Sequence, residues 1–196
     1  MPRLASTLLA SFLLVVTPAT LAQAAATQTS VIVTAADPPG DVRVYAGQGP
    51  TASERGSIDL REVSVVARPN VVRFKVRVRE VRQTREFDQM VFIDLKPTAT
   101  SDATWTATIG MSPQQPTSAY AILFVDDSGT DYRSCDPLPL TVLRRQDTLR
   151  LDVPTRCVPG EPARIKVTSY TGYYRSDAGG PWSKDALRVP GGYLLR

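Results

Sequence analysis

Histidine is absent from this sequence of 196 residues, and its absence closes several classes of enzyme chemistry. Without histidine the chain has no Ser-His-Asp or Cys-His nucleophile system and no histidine-ligated zinc or copper site. The two cysteines are too few for a structural zinc site, which needs four nitrogen or sulfur ligands. The composition therefore favours a protein without enzymatic activity. We expect no resident cofactor, with calcium as the one ion that the carboxylates of the chain would suit.

Long hydrophobic runs are also scarce, and the one that is present lies at the N-terminus. Residues 1–26 combine an early arginine, Arg3, with an apolar core and a small-residue string that contains an A-x-A site. This pattern is typical of a secretory signal peptide, which is too short to span a bilayer. We expect a secreted, extracellular protein without a membrane span, whose residues 27–196 form a single domain.

Cys135 and Cys157 are the only cysteines in the chain. In a secreted protein two cysteines are expected to form a disulfide. A redox role would require C-x-x-C spacing or a site that stabilises a thiolate, and neither is visible around these positions. We therefore expect a structural disulfide that contributes roughly 3 kcal/mol on the chain-entropy model.

Short segments with alternating polarity dominate the rest of the sequence. Sixteen prolines and twelve glycines separate runs in which apolar and polar residues alternate with period two, as in half-buried strands. No run has the periodicity of a helix. The pattern predicts an all-β fold, a two-sheet antiparallel β-sandwich that is either jelly-roll or immunoglobulin-like in topology.

Four segments carry the strand prediction most clearly. Residues 57–67 and 71–79 form the first pair, with a turn at 68–70 and a bulge where the phase of alternation slips near Arg61. Residues 90–95 and 119–125 are apolar in both phases, which is typical of strands covered on both faces. We expect these last two strands to be central.

The densest basic feature lies within one predicted strand. Alternate positions would line one face of it with cations about 7 Å apart, namely Arg73, Lys75, Arg77 and Arg79. Such a stripe could hold a polyanion. The alternative is a solvated outer face whose charges discourage edge-to-edge aggregation. A net charge of +4 is too small for a dedicated nucleic-acid binder, so we expect no nucleic-acid partner.

Two acidic turns gather carboxylates with backbone carbonyls, as a calcium ion requires. The first is DPPGD at residues 37–41, with Asp37 and Asp41, and the second is DDSGTD at 126–131, with Asp127. Neither matches the EF-hand spacing. Asp and Gly are also ordinary turn residues, so plain turns are the alternative.

Aromatic residues cluster in the glycine-rich segment 170–182, which holds Tyr170, Tyr173, Tyr174 and Trp182. Aromatic rings in a loop with polar neighbours are typical of sites that stack on pyranose rings or other flat ligands. The alternative is that Tyr173 and Trp182 fold back and close one end of the sandwich, because large aromatic side chains are usually buried.

Asp94 is the one acid within an apolar strand, and a small glycosidase must therefore be considered. Glycoside hydrolysis needs two carboxyl groups about 5 to 10 Å apart in one cleft. No second acid has a matching position in the sequence. An exposed or hydrogen-bonded Asp94 is the simpler interpretation, and catalysis is the less favoured one.

Several short motifs carry a family resemblance. DPPGD at 37–41, GSIDL at 56–60, the strand over 71–81 and VPTRC at 153–157 resemble segments of secreted actinobacterial β-sandwich proteins. The sandwich of those proteins is similar to DOMON domains and family-nine carbohydrate-binding modules. The resemblance implies a non-enzymatic sandwich that binds a glycan or another small ligand. It also implies that Asp37, Asp41 and Asp59 are carboxylates of a metal-binding site.

These features lead to one principal functional hypothesis, a secreted non-catalytic β-sandwich that binds a carbohydrate or a cell-wall polymer. The competing hypothesis is a structural or interaction protein. It would contact an anionic polymer or a protein partner through the basic strand face.

Overall fold

A computed structural model describes residues 30–45, 51–82, 87–99, 104–111, 119–126, 133–135, 138–172 and 182–195. The predicted signal peptide, residues 1–26, lies outside the described residues. Three candidate site residues, Tyr173, Tyr174 and Asp127, also lie outside them.

The described part of the chain is built from twelve strands and one helical turn. The strands of the first half are β1 (Ser30–Ala36), β2 (Arg43–Val44), β3 (Leu60–Arg68), β4 (Val71–Val78), β5 (Asp88–Pro97) and β6 (Thr104–Met111). Those of the second half are β7 (Ala119–Asp126), β8 (Arg133–Ser134), β9 (Leu140–Leu143), β10 (Thr148–Pro154), β11 (Ala163–Gly172) and β12 (Ser183–Tyr193). The helix is α1 (Ala52–Arg55), and short 3-10 turns span Gly56–Ile58, Arg144–Gln146 and Thr155–Cys157. None of the described helices is long or apolar enough to cross a membrane.

The strands form two antiparallel sheets. One sheet has the order β1-β3-β4-β10-β9, and the other has the order β2-β12-β11-β5-β6-β7-β8. The predicted all-β, two-sheet sandwich with one disulfide is confirmed.

The predicted strands match the observed ones with two corrections. β3 and β4 form the expected hairpin, and their register shifts between Leu60 and Glu62, where a bulge was predicted. β5 is the middle strand of its sheet, as expected, but β7 is sixth of seven, beside the two-residue β8, and is not central. The predicted strand over 57–67 begins only at Leu60, because residues 57 and 58 belong to a 3-10 turn and residue 59 follows that turn.

The core lies between the sheets and is supplied by alternate residues of the long strands. Phe74 and Leu151 from one sheet and Ile93, Ile109 and Ile165 from the other are at most 1% exposed. Each buried side chain of this size contributes about 1.5 to 3 kcal/mol of hydrophobic free energy. Since successive strand residues point to opposite faces, burying this set directs the polar set outward.

The disulfide joins Cys135 to Cys157, as predicted. Cys135 directly follows β8 of the seven-stranded sheet, and Cys157 lies in the 3-10 turn after β10 of the five-stranded sheet. The bond therefore connects the two layers of the sandwich.

The segment with α1 and the first 3-10 turn packs against a polar end of the seven-stranded sheet. The hydroxyl of Ser169 donates to the carbonyl of Ile58 at 2.7 Å, and that of Ser183 donates to the carbonyl of Arg55 at 2.8 Å. These bonds satisfy buried backbone groups that would otherwise be costly. They also fix Asp59 and Leu60, the next residues in the chain, against β12.

Candidate functional site

An acidic cluster lies where β1, the DPPGD turn and β12 meet. Carboxylate oxygens of Asp37, Asp41 and Asp185 all lie within 4.8 Å of one another. Asp37 follows β1, Asp41 ends the turn, and Asp185 lies on the core side of β12. Gly40 has a φ of 88°, the value that a type II turn requires at its third position, so this glycine brings Asp41 back toward Asp37.

Asp59 and Asp185 are the buried members of this region, 2% and 5% exposed. Asp185 accepts from the backbone N–H groups of Leu60 and Ala186, both at 2.7 Å, and so links the two sheets. Asp59 accepts from the N–H of Gly40 at 3.0 Å and pairs with Arg61 at 2.8 Å. Asp59 Oδ1 and Asp37 Oδ2 are buried and have no hydrogen-bond partner.

Burial and the crowding of carboxylates raise the pKa values of Asp37 and Asp185. Burial, followed by the charges of Asp185, Asp41 and Asp59, raises the pKa of Asp37 to about 6. Burial also raises the pKa of Asp185, although its two backbone N–H bonds oppose the shift. A proton on Asp37 would relieve this repulsion and would allow Asp37 to donate a hydrogen bond to Asp185. The cluster thus favours either a shared proton or a cation.

The calcium prediction stays a prediction, with a revised set of ligands. Asp37 and Asp41 are brought together as expected, and their oxygens are the ligands that calcium prefers. Asp59 lies beside the cluster but is occupied by Arg61 and Gly40. Sequence reasoning missed Asp185. The signal for it was an acid in the apolar phase of a strand, between Ser183 and Leu187.

Two of the four cations in the basic stripe on β4 are paired with acids. Arg73 forms a two-pronged ion pair with Asp152, both contacts at 2.6 Å, and Arg77 lies 3.7 Å from Glu62. Arg79 follows the end of β4, and its backbone N–H donates to the carbonyl of Asp59 at 2.7 Å. Lys75 is exposed and has no ion pair with any residue that the structure describes. This pattern favours a solvated outer face.

The aromatic residues of the predicted loop have separate surroundings. The half-buried ring of Tyr170 meets Phe92 edge-on at 5.4 Å, and the Lys184 ammonium lies 5.4 Å from the Tyr170 ring centre. Trp182 is half-buried and lies 6.1 Å from the ring of Phe87, which is only 1% exposed. Trp182 therefore packs beside the buried Phe87, whereas Tyr170 lies on the outer face of the sheet.

We call this surface the outer sheet face, meaning the side of the seven-stranded sheet that points away from the core. The register places its residues in rows across the strands. One row joins Arg43, Lys184, Tyr170 and Met90, and the next joins Ala186, Thr168, Phe92 and Thr108. The following rows hold Arg188, Lys166, Asp94 and Thr106, and then Arg164 and Lys96.

A groove of about 830 Å³ runs over one end of the outer sheet face. We call it the basic groove, and its charged and hydroxyl-bearing lining includes Lys96, Arg164, Lys166, Arg188, Asp94 and Thr104. Sequence reasoning did not find this groove because its cations come from three different strands, β5, β11 and β12.

Asp94 lies on the outer sheet face and borders the basic groove, where no second acid is present among the described lining residues. Its Oδ1 accepts from the Thr106 hydroxyl at 3.1 Å, and its Oδ2 lies 3.9 Å from the Lys166 ammonium. Among the residues whose side chains the structure describes, its polar neighbours are thus a hydroxyl and a cation. This geometry does not favour the two-carboxylate arrangement of a glycosidase.

Comparisons of the chain with protein-family models, curated proteins and solved structures give no match. The candidate function therefore depends on the site geometry alone.

Proposed function

We propose that this protein is secreted and binds a polysaccharide on the outer sheet face without transforming it. The single observation that supports this proposal most is the setting of Tyr170. The half-buried ring of Tyr170 lies on the outer sheet face. The part of an aromatic ring that solvent reaches can stack on a sugar ring, and polar neighbours can bond the sugar hydroxyls.

The position of Tyr170 is fixed by its neighbours before any ligand binds. The centre of the Phe92 ring and the Lys184 ammonium both lie 5.4 Å from the centre of the Tyr170 ring. A ring held in this way loses little side-chain freedom on binding, which favours affinity. Hydroxyl and charged groups needed for orientation lie on the same face, on Thr106, Asp94 and Lys166.

Secretion is part of the same proposal. A disulfide is typical of oxidising compartments, and the disulfide here joins the two layers of the sandwich. The N-terminal signal pattern supports export of the chain. Expression with the native N-terminus in a secreting host, followed by N-terminal sequencing of the exported protein, tests this part. Cleavage near residue 26 is the expected result.

Affinity electrophoresis tests the polysaccharide-binding part of the proposal. The wild-type protein is run through native gels that contain one soluble polysaccharide each, including polygalacturonate and hydroxyethylcellulose. We expect retardation in at least one gel, and about tenfold weaker retardation for Tyr170→Ala.

Tyr170→Phe is the matched control, because it keeps the ring and its contacts and removes only the hydroxyl. It should retain most of the wild-type retardation. Melting temperatures of all three proteins separate lost binding from lost folding. Migration of the wild type that no polysaccharide alters would contradict the proposal.

A further inference from the structure

Cations lie directly opposite one another on the outer sheet face. Lys166 pairs in register with Arg188, and Arg164 pairs with Lys96. A third pair, Arg43 and Lys184, follows along the same face toward Tyr170. Directly opposed residues in antiparallel strands have Cβ atoms only about 4.5 to 5.5 Å apart, and like charges at that distance destabilise the sheet.

The protein itself compensates this repulsion only in part. Asp94 is the one outward carboxylate on the described side chains of these rows, and it lies 3.9 Å from Lys166. No carboxylate of the described residues forms an ion pair with Arg164, Lys96 or Arg188. One further acid, Asp126 on β7, lies at the register position opposite Thr104, which is a lining residue of the basic groove.

The five-stranded sheet is more evenly compensated, although it also has one directly opposed pair of cations, Lys75 and Arg150. Two of its outward cations have an acidic partner directly across the strand, since Arg73 faces Asp152 and Arg77 faces Glu62. Both partners are close enough to pair, at 2.6 and 3.7 Å. Among the described residues, the outer sheet face thus has three opposed pairs of cations, whereas the five-stranded sheet has one.

These cations line the basic groove, which has room for a polymer segment. Its volume is about 830 Å³, and Lys96, Arg164, Lys166 and Arg188 all border it. Two residues along a strand span about 7 Å, so the rows of cations repeat along the groove at about that distance. A ligand with anionic groups at intervals would neutralise several of them together.

We propose that the polymer bound on the outer sheet face is an acidic polysaccharide, whose carboxylates are held by the cations of the basic groove. This inference rests on the proposed function, because it assigns a chemical class to the ligand of the same face. Arginine binds carboxylates through two parallel hydrogen bonds, and Arg164 and Arg188 are exposed and available for such contacts. Thr104 also lines the groove, and its hydroxyl can bond the uncharged part of a sugar.

A nucleic acid fits this groove less well. Single-stranded nucleic acids are bound by aromatic rings interleaved with cations, because bases stack on the rings. No aromatic side chain of the described residues borders the groove, and Tyr170 and Phe92 belong to other rows of the face. Nucleic-acid binding is therefore an outcome that the experiment must detect and not the expected result.

The test compares two ligands that share one backbone and differ in charge. Polygalacturonate and its fully methyl-esterified form are titrated onto the oxidised protein at several salt concentrations. We expect polygalacturonate to bind at least tenfold more tightly at low salt, and its affinity to fall as salt rises. The affinity of the esterified form should change little with salt.

Two double variants locate the site. Lys166→Gln with Arg188→Gln removes two cations of the groove, and Lys75→Gln with Arg77→Gln removes two from the opposite face as a matched control. We expect the groove variant to lose at least tenfold in polygalacturonate affinity and to show a salt slope smaller by about one to two. The control variant should stay within about twofold of the wild type.

The unliganded proteins provide a second measurement that does not depend on binding. Relief of repulsion between Lys166 and Arg188 should leave the melting temperature of the groove variant equal to or above that of the wild type. A lower melting temperature would mean that these cations serve the fold, and would overturn the inference.

The remaining outcomes separate this inference from the proposed function. Equal, salt-insensitive binding of both galacturonan forms would overturn the acidic-ligand inference and leave polysaccharide binding intact. Equal binding of a single-stranded oligonucleotide of the same charge would replace the polysaccharide with a general polyanion. Equal loss in the control variant would remove the groove as the site, and no binding of any polysaccharide would refute both proposals.

Discussion

Replacing Asp37 with asparagine should make the protein more stable at neutral pH in the presence of a chelator. The asparagine side chain would keep the shape of the protonated carboxyl and can donate to Asp185 at any pH. In the wild type that donation requires a proton, which Asp37 loses as the pH rises through about 6. The variant therefore removes a repulsion that the wild-type fold must bear above that pH.

The size of the effect follows from the pKa of Asp37. The fold raises this pKa from 3.8 to about 6, and each unit corresponds to about 1.36 kcal/mol, which sets an upper limit of about 3 kcal/mol. Asp37 is only half-buried, and solvent screening reduces the figure to about 1 to 2 kcal/mol. Since the pKa of Asp37 is raised in the folded state, the stability that comes from keeping Asp37 protonated is fully present below pH about 4. It is lost as the pH rises through about 6.

Urea unfolding of both proteins between pH 4 and pH 8, in chelator, measures the difference directly. The two free energies of unfolding should agree near pH 4, and Asp37→Asn should be the more stable by about 1 to 2 kcal/mol at pH 8. Asp94→Asn is the control, because Asp94 lies on the outer sheet face, away from the cluster. Its difference from the wild type should not follow the same pH profile.

The same assay with calcium tests the cation prediction. A bound ion would stabilise the wild type by about 2.7 kcal/mol at a hundred times its dissociation constant, and would stabilise Asp37→Asn less. No effect of calcium at pH 8 would refute the calcium prediction alone. A variant less stable than the wild type at pH 8 in chelator would refute the account of the cluster as a crowded, proton-sharing group.

Three further predictions concern the fold. Cys135→Ser with Cys157→Ser should lower the free energy of unfolding by roughly 3 kcal/mol in urea titrations, and an unchanged midpoint would contradict a structural role. The hydrogen bond from Arg73 lowers the pKa of Asp152. This ion pair therefore stabilises the fold at pH values above the ordinary pKa of an aspartate, and the stabilisation is lost as the pH falls through the lowered pKa. Asp152→Asn should therefore cost about 1 kcal/mol at pH 7 and much less at pH 2, a difference that the same titrations at both pH values would show. Ile93→Ala should cost about 2 to 5 kcal/mol in thermal or urea unfolding, because Ile93 is fully buried in the core, and a smaller loss would mean that the core collapses around the gap.

Local pattern was enough to predict the class of fold. The period-two alternation of Arg73, Phe74 and Lys75 identifies a strand with one buried face, because successive side chains of a strand point to opposite sides. The slip near Arg61 marked the bulge, and the presence of only two cysteines marked their pairing. Each of these features can be recognised from a few neighbouring residues or from the number of cysteines in the chain.

The position of β7 could not be predicted in the same way. An apolar run is compatible both with a central strand and with one near the edge, since either can be covered on both faces. Strand order depends on which distant segments pair. Turn residues and polarity patterns carry no information on that choice when the partners are far apart in the chain.

The candidate sites show the same division between local and distant information. The DPPGD segment alone predicts that Asp37 and Asp41 share a tight turn, because Gly40 permits the backbone to reverse there. Only the tertiary structure brought Asp185 to them, and only strand register set Lys166 opposite Arg188. The physical reason is that side-chain alternation follows from local backbone geometry, whereas the neighbours of a side chain across a sheet are fixed by pairing between segments far apart in sequence.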